Sequence, residues 1–427
     1  MKNNKGITLV ALVVTIVVLL ILAGVSINLV LGNNGIIAKA KDAETKSAEA
    51  SQNDLKGMNG LVSEMEGALA GNGSTGSGSG NGGAGGSGTD TKVPAEATTE
   101  TAPYFPDNTF TKKEGTIDTG LVIQDASGNE YVWVVVPRTT AVYKTTGLEK
   151  TTFTDADYTS IEKDLKDYTS TYVTTSGYSD TYVADDKNVG WFADEKAYNN
   201  LKNSMLKSVY ENGGFYVGRY EAGIAENRTS NTEKNSDEKY TIEGMPTPVT
   251  KADAYPYTYV TRTQAQNLAS KVNAGTKTSS LMFGVQWDLV LAFMHNKGTI
   301  ADSKLTSNSK TIGNYYDNLW TIKNAKAQYS EDNGDTFIAC PNPFKKESDS
   351  SILLTTGADS SFSVQNIYDI AGNVWEWTLE KTSYTSYPCA HRGGIFSLTG
   401  SRRPAAYRGI SSSDYSSLIF GFRVSLF

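Results

Sequence analysis

The sequence predicts an α+β domain that follows an N-terminal apolar helix. Runs rich in β-branched and aromatic residues, such as Tyr131–Val136 and Gly214–Tyr220, indicate strands. The segment Thr261–Asn273 places its apolar residues on one side of a helix. An almost unbroken apolar run from Ile7 to Val25 predicts the N-terminal helix. A chain of 427 residues is long enough for one large domain or two ordinary ones.

Charge and composition exclude several classes of function. The formal net charge is −7, so the chain lacks the basic footprint of a nucleic-acid-binding protein. The chain has two histidines and two cysteines, so a His/Cys zinc site or a Cys–His nucleophile would use most of its residues of these types. Cys340 and Cys389 permit one disulfide if the domain lies outside the cell, and two separate buried thiols are the alternative.

The N-terminal segment has the pattern of a membrane-spanning helix. Two lysines, Lys2 and Lys5, precede the apolar run, and about 20 apolar residues in a helix cross the hydrocarbon core of a bilayer. The run continues into a polar helix, whereas a secretory signal ends at a small-residue cleavage site. We therefore expect this segment to anchor the protein in a membrane.

The start KGITLVAL resembles a type IV prepilin leader that is processed between Gly6 and Ile7. The resemblance implies a leader over residues 1–6, a transmembrane and pilin-like helix over residues 7–32, and other pilin-like subunits as partners. The fifth residue of the mature chain is Ala11, where that family usually has Glu, which puts ordinary filament packing in doubt. The absence of this Glu would suit a subunit at the tip of a filament or a plain membrane anchor.

A stem and a tether connect the apolar helix to the domain. Residues 33–70 are rich in Ala, Glu and Lys and predict a stem helix. Residues 71–106 predict a flexible linker, and its Gly/Ser-rich part, Gly71–Gly88, would behave as a coil spanning about 20–25 Å. The domain is expected over residues 107–427.

The domain itself shows separate strand and helix signals. The turn sequence at Ala126–Asn129 predicts a hairpin between Leu121–Gln124 and Tyr131–Val136. Weak periodicity over Thr139–Tyr210 predicts an insertion with some helix near Glu195–Tyr210, and Val285–Met294 predicts a further helix. The polar region Lys297–Phe362 predicts a long loop, a place where binding function is common.

The segment Asn366–Thr378, NIYDIAGNVWEWT, concentrates unusual chemistry. Its Gly372-Asn373 pair tolerates positive φ and predicts a turn. Two tryptophans flank Glu376, and indoles are normally buried. A carboxylate between them is partly desolvated, so it needs a cation, a hydrogen-bond donor or a metal to remain charged.

Four segments in this order resemble the formylglycine-generating enzyme, or sulfatase-modifying factor, family, a variant of the C-type lectin fold. They are GGFYVGRYEAG (Gly213–Gly223), SSLMFGVQWD (Ser279–Asp288), the NIYDIAGNVWEWT segment, and the run from HRGG to FGFRVSLF (His391–Phe427). The match covers roughly Val122–Phe427, which is most of the chain. The resemblance implies a C-type-lectin-like domain.

The same resemblance implies a structural calcium site. Its ligands would be the side chains of Asp369 and Glu376 and the backbone carbonyls of Gly372 and Val374. Carboxylates mixed with backbone carbonyls suit a hard cation such as Ca²⁺. The alternative is that the two carboxylates cap turns or pair with arginines such as Arg392 or Arg423.

The family's oxidase chemistry is not expected in this chain. The enzymes carry a cysteine pair between their RGG and GFRV motifs, but this sequence has no cysteine between Gly394 and Gly421. Positions there include Ser397 and Ser401, and oxidation through a thiol needs an accessible, low-pKa thiolate. We therefore predict that the protein is not an enzyme.

The segment between these motifs, Ile395–Phe420, has the composition of a binding surface. Tyr, Ser and Gly with occasional Arg give rigid aromatic area and adaptable hydrogen bonding. In lectin-fold proteins diversified by retroelements, this stretch carries the variable contact residues. The candidate contacts here are Phe396, Leu398, Tyr407, Ile410, Ser412, Asp414, Tyr415 and Leu418. The alternative is that they are ordinary strand and loop residues, and Arg392, Arg408 and Arg423 are expected to be internal partners.

These observations predict a non-catalytic recognition or adhesion protein at a bacterial cell membrane or cell surface, with its domain outside the cell. Its ligand would be a protein or a glycan. One alternative is an oxidoreductase of the formylglycine-generating type with displaced catalytic groups. Another is a structural minor pseudopilin.

Overall fold

The computed structural model describes residues 103–183, 191–229 and 240–427. The leader, apolar helix, stem and most of the linker expected for residues 1–102 lie outside the described residues. Within the described part of the chain, no helix is both long and apolar enough to cross a membrane. The described residues form a mixed α and β structure that is mainly β, which confirms the α+β class at this level.

The helices and strands of the described residues are as follows. The helices are α1 Asp155–Tyr168, α2 Glu195–Asn212, α3 Arg262–Ala269, α4 Gly284–Gly298 and α5 Asp302–Thr306. The strands are β1 Thr111–Glu114, β2 Val122–Gln124, β3 Glu130–Val135, β4 Tyr178–Ser179, β5 Gly214–Gly218, β6 Gly223–Ile224, β7 Tyr255–Pro256, β8 Ser279–Leu281, β9 Trp320–Ile322, β10 Gln328–Ser330, β11 Ile338–Ala339, β12 Phe344–Lys346, β13 Leu353–Leu354, β14 Ser363–Val364, β15 Ile367–Tyr368, β16 Trp375–Thr382, β17 Cys389–Arg392, β18 Arg408–Ser411, β19 Phe420–Phe422 and β20 Val424–Leu426.

One sheet has the strand order β1-β2-β3-β5-β20-β8. The predicted hairpin is present as β2 and β3, with Val122 opposite Val132. The last strand, β20, lies between β5 and β8 and is antiparallel to both, so the C-terminal segment completes the sheet. Tyr104, which the sequence placed in the linker, is buried with its ring centroid 5.5 Å from that of Trp133. The ordered domain therefore begins before residue 107.

A second sheet has the order β18-β17-β16-β19, and β4 pairs with the far end of β16. Strand β16 is antiparallel to β17, with Trp377 opposite His391, and parallel to β19, with Trp375 opposite Phe420. Because successive side chains in a strand point to opposite faces, Trp375, Trp377 and His391 share one face of this sheet. Glu376 points to the other face.

The predicted helices are present, and two further helices of the described residues, α1 and α5, were missed. Helices α2, α3 and α4 correspond to the three helical predictions. Helix α1 lies inside the predicted insertion and begins with a capping box between Thr154 and Asp157. Its sequence is mostly polar, and Ile161 and Leu165 are its buried apolar residues, so its periodicity is weak.

The predicted long loop, Lys297–Phe362, is only partly irregular. It contains α5 and the short strands from β9 to β13. Trp320, Ile322 and Phe362 belong to a small hydrophobic cluster within this region. Strands of two or three residues are too short for a pattern of alternation to show in the sequence.

Candidate functional site

A tight turn fixes the start of strand β16. Gly372 has φ +82° and Asn373 has φ +53°, and a Cβ at Gly372 would lie 2.2 Å from the carbonyl oxygen of Asn314. The Asn373 side chain accepts from Leu354 N at 3.2 Å and donates to Glu221 Oε2 at 2.7 Å. The Gly-Asn pair therefore forms the turn that the sequence predicted, and hydrogen bonds of Asn373 with Leu354 and Glu221 fix it.

Glu376 is neutralised by Arg423 on the face of β16 opposite the tryptophans. Arg423 Nη2 donates to Glu376 Oε1 at 2.6 Å, and Nε lies 3.0 Å from Oε2. Arg423 also donates to the carbonyl oxygens of Gly218 and Tyr368. Both charged side chains are buried. The expectation that Arg423 is an internal partner is confirmed.

The carboxylates around this pair are strongly perturbed. Asp369 accepts from Gly357 N at 2.7 Å, and burial raises the pKa of its carboxyl to about 7. Glu221, which the sequence did not single out, accepts from Val374 N at 3.2 Å. Burial and the neighbouring carboxyls of Asp369 and Glu376 raise the pKa of Glu221 well above its usual range.

Two of the four residues proposed as calcium ligands use their carboxylates in other contacts. The Glu376 carboxylate is occupied by the Arg423 guanidinium, and the Asp369 carboxylate accepts from a backbone N–H. Among the described residues, no three His, Cys, Asp or Glu side chains are grouped so that they could hold a metal ion. Calcium at Asp369, Gly372, Val374 and Glu376 remains a prediction.

A second buried ion-pair network lies beneath β17 and β18. Arg392 Nη2 donates to Asp288 Oδ1 at 2.6 Å, and its Nη1 lies 3.3 Å from Glu380 Oε2. Arg408 Nε donates to Glu380 Oε1 at 3.0 Å, and its Nη2 contacts Asp288. Two cations and two anions thus tie β17 and β18 to helix α4. Arg392 and Arg408 are internal, as expected from the sequence.

The opposite face of this sheet carries a cleft of about 360 Å³, which we name the Trp375 cleft. Its lining residues are Trp375, Tyr387, His391, Arg403, Tyr407, Ile410, Ser411, Ser412, Tyr415, Ile419 and Phe420. Four of the eight candidate contacts, namely Tyr407, Ile410, Ser412 and Tyr415, therefore meet at one site.

Aromatic rings form the floor of the Trp375 cleft. The centroid of the Trp375 ring lies 4.4 Å from that of His391 and 5.2 Å from that of Phe420. The rings of Trp375 and Tyr407 are inclined by only 25°, with centroids 6.4 Å apart. Tyr415 contacts Phe420 edge-on and is 45% exposed at the rim. The result is a rigid aromatic platform that opens to solvent.

Three polar side chains of the cleft lack partners or carry charge. Burial and the nearby Arg403 guanidinium lower the pKa of His391 to about 3, so its imidazole is neutral at pH 7. Within the described residues, His391 Nε2 and Trp375 Nε1 have no hydrogen-bond partner. The guanidinium carbon of Arg403 lies 4.1 Å from the centroid of the Tyr407 ring.

The other four candidate contacts do not line the cleft. Phe396 is buried against Leu353 and Val374 in a separate hydrophobic cluster, so predicting it as a contact was wrong. Leu398 is half-buried, and its carbonyl accepts from Tyr316 N at 3.0 Å. Asp414 and Leu418 are also half-buried and lie outside the lining. Composition alone does not tell which side chains of a strand-and-loop segment face the core.

Sequence reasoning missed most of the residues of the platform as ligand contacts. Trp375, His391, Arg403 and Phe420 line the cleft, but Trp375 and His391 were treated as motif residues. Arg403 and Phe420 lie in the segment predicted as a binding surface and were not named as contacts. The Trp-x-Trp spacing of β16 was a signal, since residues two apart in a strand share a face. Joining this face to His391 and Phe420 required the register between three strands.

The two cysteines lie apart from this site. Both are buried and neither is in a disulfide, with Cys340 in the cluster of Trp320 and Cys389 in the main core. The disulfide between Cys340 and Cys389 is therefore not formed, and the alternative of separate buried thiols describes the structure. Burial raises the pKa of the Cys340 thiol to about 11, which disfavours the thiolate needed for reactivity.

Comparisons with known proteins find only remote likeness. No family model and no curated protein matches the chain. Among solved structures, the chain is similar to CarF (14% identity over 50% of this chain and 85% of that one, TM-score 0.27). It is also similar to PvdO from Pseudomonas aeruginosa (11% identity, 50% and 81%, TM-score 0.26) and to Treponema denticola variable protein 1 (12% identity, 69% and 84%, TM-score 0.21). TM-scores this low carry no argument about fold or function.

Proposed function

We propose that this protein recognises a protein or glycan ligand through the Trp375 cleft and does not catalyse a reaction. The cleft brings Tyr407, Ile410, Ser412 and Tyr415 together on an aromatic platform, and this observation supports the proposal most directly. We further propose that the domain is C-type-lectin-like, of the formylglycine-generating-enzyme type, as the four sequence segments suggest.

The construction of the platform suits recognition. Aromatic side chains offer a large contact area with few rotatable bonds, so they lose little conformational entropy on binding. Strands β16 and β17 are fixed from below by the Glu376–Arg423 pair and the Arg392–Asp288 pair. The platform is therefore already organised before a ligand arrives.

The titratable groups of the cleft also favour binding over catalysis. A general base is most effective when its pKa is near the working pH. Burial and Arg403 lower the pKa of His391 to about 3, so this imidazole is a poor proton acceptor at neutral pH. The lining residues contain no cysteine. An oxidoreductase with displaced catalytic groups would need a redox centre elsewhere in the chain.

The proposed location rests on the sequence of the N-terminal segment. An apolar helix after a prepilin-like leader would anchor the protein in a bacterial membrane or in a pilus-like assembly, and the Gly/Ser-rich linker would let the domain reach ligands in several orientations. The third possibility, a structural pseudopilin, assigns the domain a role in assembly. It predicts that removing the domain abolishes assembly, while changes in the cleft have no effect.

The test is a screen of the purified full-length protein against arrayed glycans and cell-surface proteins, with and without calcium. The variant Tyr407→Ala/Tyr415→Ala removes two lining side chains. Tyr384→Ala is the matched control, because Tyr384 is 61% exposed and does not line the cleft. We expect the double variant to lose binding without a change in melting temperature, and the control to keep it. Binding that is indifferent to the double variant overturns the proposal.

A further inference from the structure

We infer that the Trp375 cleft takes an acidic sugar, meaning a pyranose ring that carries a carboxylate. This inference rests on the proposed function and specifies the class of ligand. It is carried by three features of the cleft: an arginine beside the platform, the arrangement of the rings, and a rim of hydroxyl groups.

The charge of the cleft favours an anion. Arg403 is the one ionised side chain among the lining residues, since His391 is neutral and no Asp, Glu or Lys lines the cleft. Arg403 Nη1 donates to the carbonyl oxygen of Arg402, and its Nε has no partner among the described residues. Arg402, the preceding residue, is exposed and carries a second positive charge, although it does not line the cleft. These charges stand out on a chain whose net charge is −7.

The rings of the cleft favour a flat, saturated ring as the uncharged part of the ligand. Trp375 and Tyr407 both line the cleft and lie nearly parallel, with planes that differ by 25° and centroids 6.4 Å apart. The face of an aromatic ring is electronegative, so it attracts C–H groups such as those on one face of a pyranose. The Arg403 guanidinium stacks on Tyr407 at 4.1 Å. A carboxylate on a sugar that rests on the platform can therefore meet the planar guanidinium with two hydrogen bonds.

The rim and walls supply partners for sugar hydroxyls. Ser411, Ser412, Tyr387 and Tyr415 line the cleft, and each hydroxyl can donate and accept. Within the described residues, the imidazole of His391 has an unpartnered Nε2 although the residue is only 3% exposed. This atom lies against Gly409 of β18, since a Cβ there would be 1.9 Å from Nε2, so the hydroxyl groups of the rim are the partners that we assign to the sugar.

Two observations favour a sugar over an acidic peptide. Peptides commonly bind by adding a strand to the edge of a sheet. Here the edge strand β18 is covered, since the Tyr178 hydroxyl donates to the Arg408 carbonyl oxygen at 3.2 Å and Arg408 donates to the Tyr172 carbonyl oxygen at 2.9 Å. The volume of about 360 Å³ is also at the small end for ligand pockets. It suits one or two sugar rings better than an extended chain.

The experiment compares two probes that differ only at C6, methyl glucuronide with a carboxylate and methyl glucoside with a hydroxymethyl group. Ligand-observed saturation-transfer NMR with the full-length protein measures both affinities, and the methyl glycoside of N-acetylneuraminic acid is a second acidic probe. We expect at least one acidic sugar to bind about five- to tenfold more tightly than the glucoside. Arg403→Gln should abolish this preference. Arg402→Gln, which removes an equal charge one residue away, should largely keep it, and Tyr384→Ala, outside the cleft, should bind as the wild type does.

The outcomes separate this inference from the proposed function. Equal binding of acidic and neutral sugars, a preference that survives Arg403→Gln, or no binding of either acidic sugar overturns the inference. If Arg403→Gln lowers the melting temperature, Arg403→Lys replaces it, with a reduced preference expected because the planar fork is lost. A short acetylated Glu/Gly peptide that binds instead of the sugars assigns the cleft to acidic peptides. A neutral ligand lost in Tyr407→Ala/Tyr415→Ala overturns the acidic-sugar inference alone, whereas the absence of any cleft-dependent ligand overturns both.

Discussion

Arg392 and Asp288 form a fully buried ion pair, with 2.6 Å between Nη2 and Oδ1. Arg392 follows His391 directly on β17, so one residue faces the Trp375 cleft and the next faces the ion-pair network below it. The sheet that forms the cleft therefore has a buried ion-pair network on its opposite face. Cations and anions are balanced there, because Arg408 and Glu380 complete the network.

Removing one anion from this network should destabilise the protein strongly. Asp288→Asn leaves the charges of Arg392 and Arg408 buried with only Glu380 to balance them. Breaking a buried pair in this way costs about 3–5 kcal/mol, and chemical denaturation measures the loss. Glu211→Gln is the control, because its contact with Lys207 is on the surface and such pairs contribute little. A loss below about 1 kcal/mol for Asp288→Asn would show that water or rearrangement compensates the arginines.

A single methyl group added to the turn before β16 should destabilise the protein. Gly372→Ala places a Cβ where φ is +82° and where it would meet the Asn314 carbonyl oxygen at 2.2 Å. Backbone strain together with the clash should lower the unfolding free energy by more than about 2 kcal/mol. Gly147→Ala is the matched control, since its φ is +72° but nothing lies within 4 Å of the added Cβ.

The control isolates the effect of the clash. We expect Gly147→Ala to cost about 1 kcal/mol from conformation alone. Thermal unfolding of both variants measures the difference. Equal losses would mean that the Asn314 backbone moves aside, and that the turn does not hold β16 as tightly as its contacts indicate.

Local patterns were enough to predict much of the fold. The β2–β3 hairpin and helices α2, α3 and α4 follow from alternation, turn residues and periodicity within short windows. Helix α1 was not predicted, because its stabilisation depends on its cap and on two buried apolar residues, Ile161 and Leu165. The Thr154-x-x-Asp157 capping box was visible in the sequence and would have indicated its start.

The site was predictable only in part, for a different reason. Composition pointed to the segment that contains Tyr407, Ile410, Ser412 and Tyr415. It also pointed to Phe396, which is buried in a hydrophobic cluster. Strand register decides which side chains face the cleft and which face the core, because it brings residues that are far apart in the chain side by side. Register between β16, β17 and β19 is a property of the whole sheet, and no local pattern encodes it.

Stability should depend on pH through Asp180. This buried aspartate accepts from Gly284 N at 2.7 Å and from Val285 N at 3.0 Å, at the start of helix α4. Burial, with a smaller contribution from Glu380, raises the pKa of its carboxyl from 3.8 to about 6. A raised folded-state pKa stabilises the fold at low pH, and this contribution is lost as the pH rises through 6.

The magnitude follows from the size of the shift. Two pKa units correspond to roughly 2–3 kcal/mol between pH 4 and pH 7, and denaturant unfolding at both pH values measures it. Asp180→Asn should flatten this dependence. Asp155→Asn removes an exposed carboxylate from the first turn of α1 and should leave it unchanged. An unfolding free energy that rises for the wild type relative to Asp180→Asn between these pH values would contradict the assignment.

The last prediction decides between calcium and an ion pair at the β16 turn. Calcium held by Asp369, Gly372, Val374 and Glu376 would raise the melting temperature, because a cation that binds only the folded state stabilises it by mass action. Arg423 already supplies a cation to Glu376 through three contacts shorter than 3.2 Å. The ion-pair alternative therefore predicts a melting temperature that is indifferent to added calcium and to a chelator. Arg423→Met should lose about 3–5 kcal/mol of unfolding free energy, which confirms that the ion pair is needed. A wild-type melting temperature that rises with calcium, and does not rise in Glu376→Gln, would instead establish the calcium site.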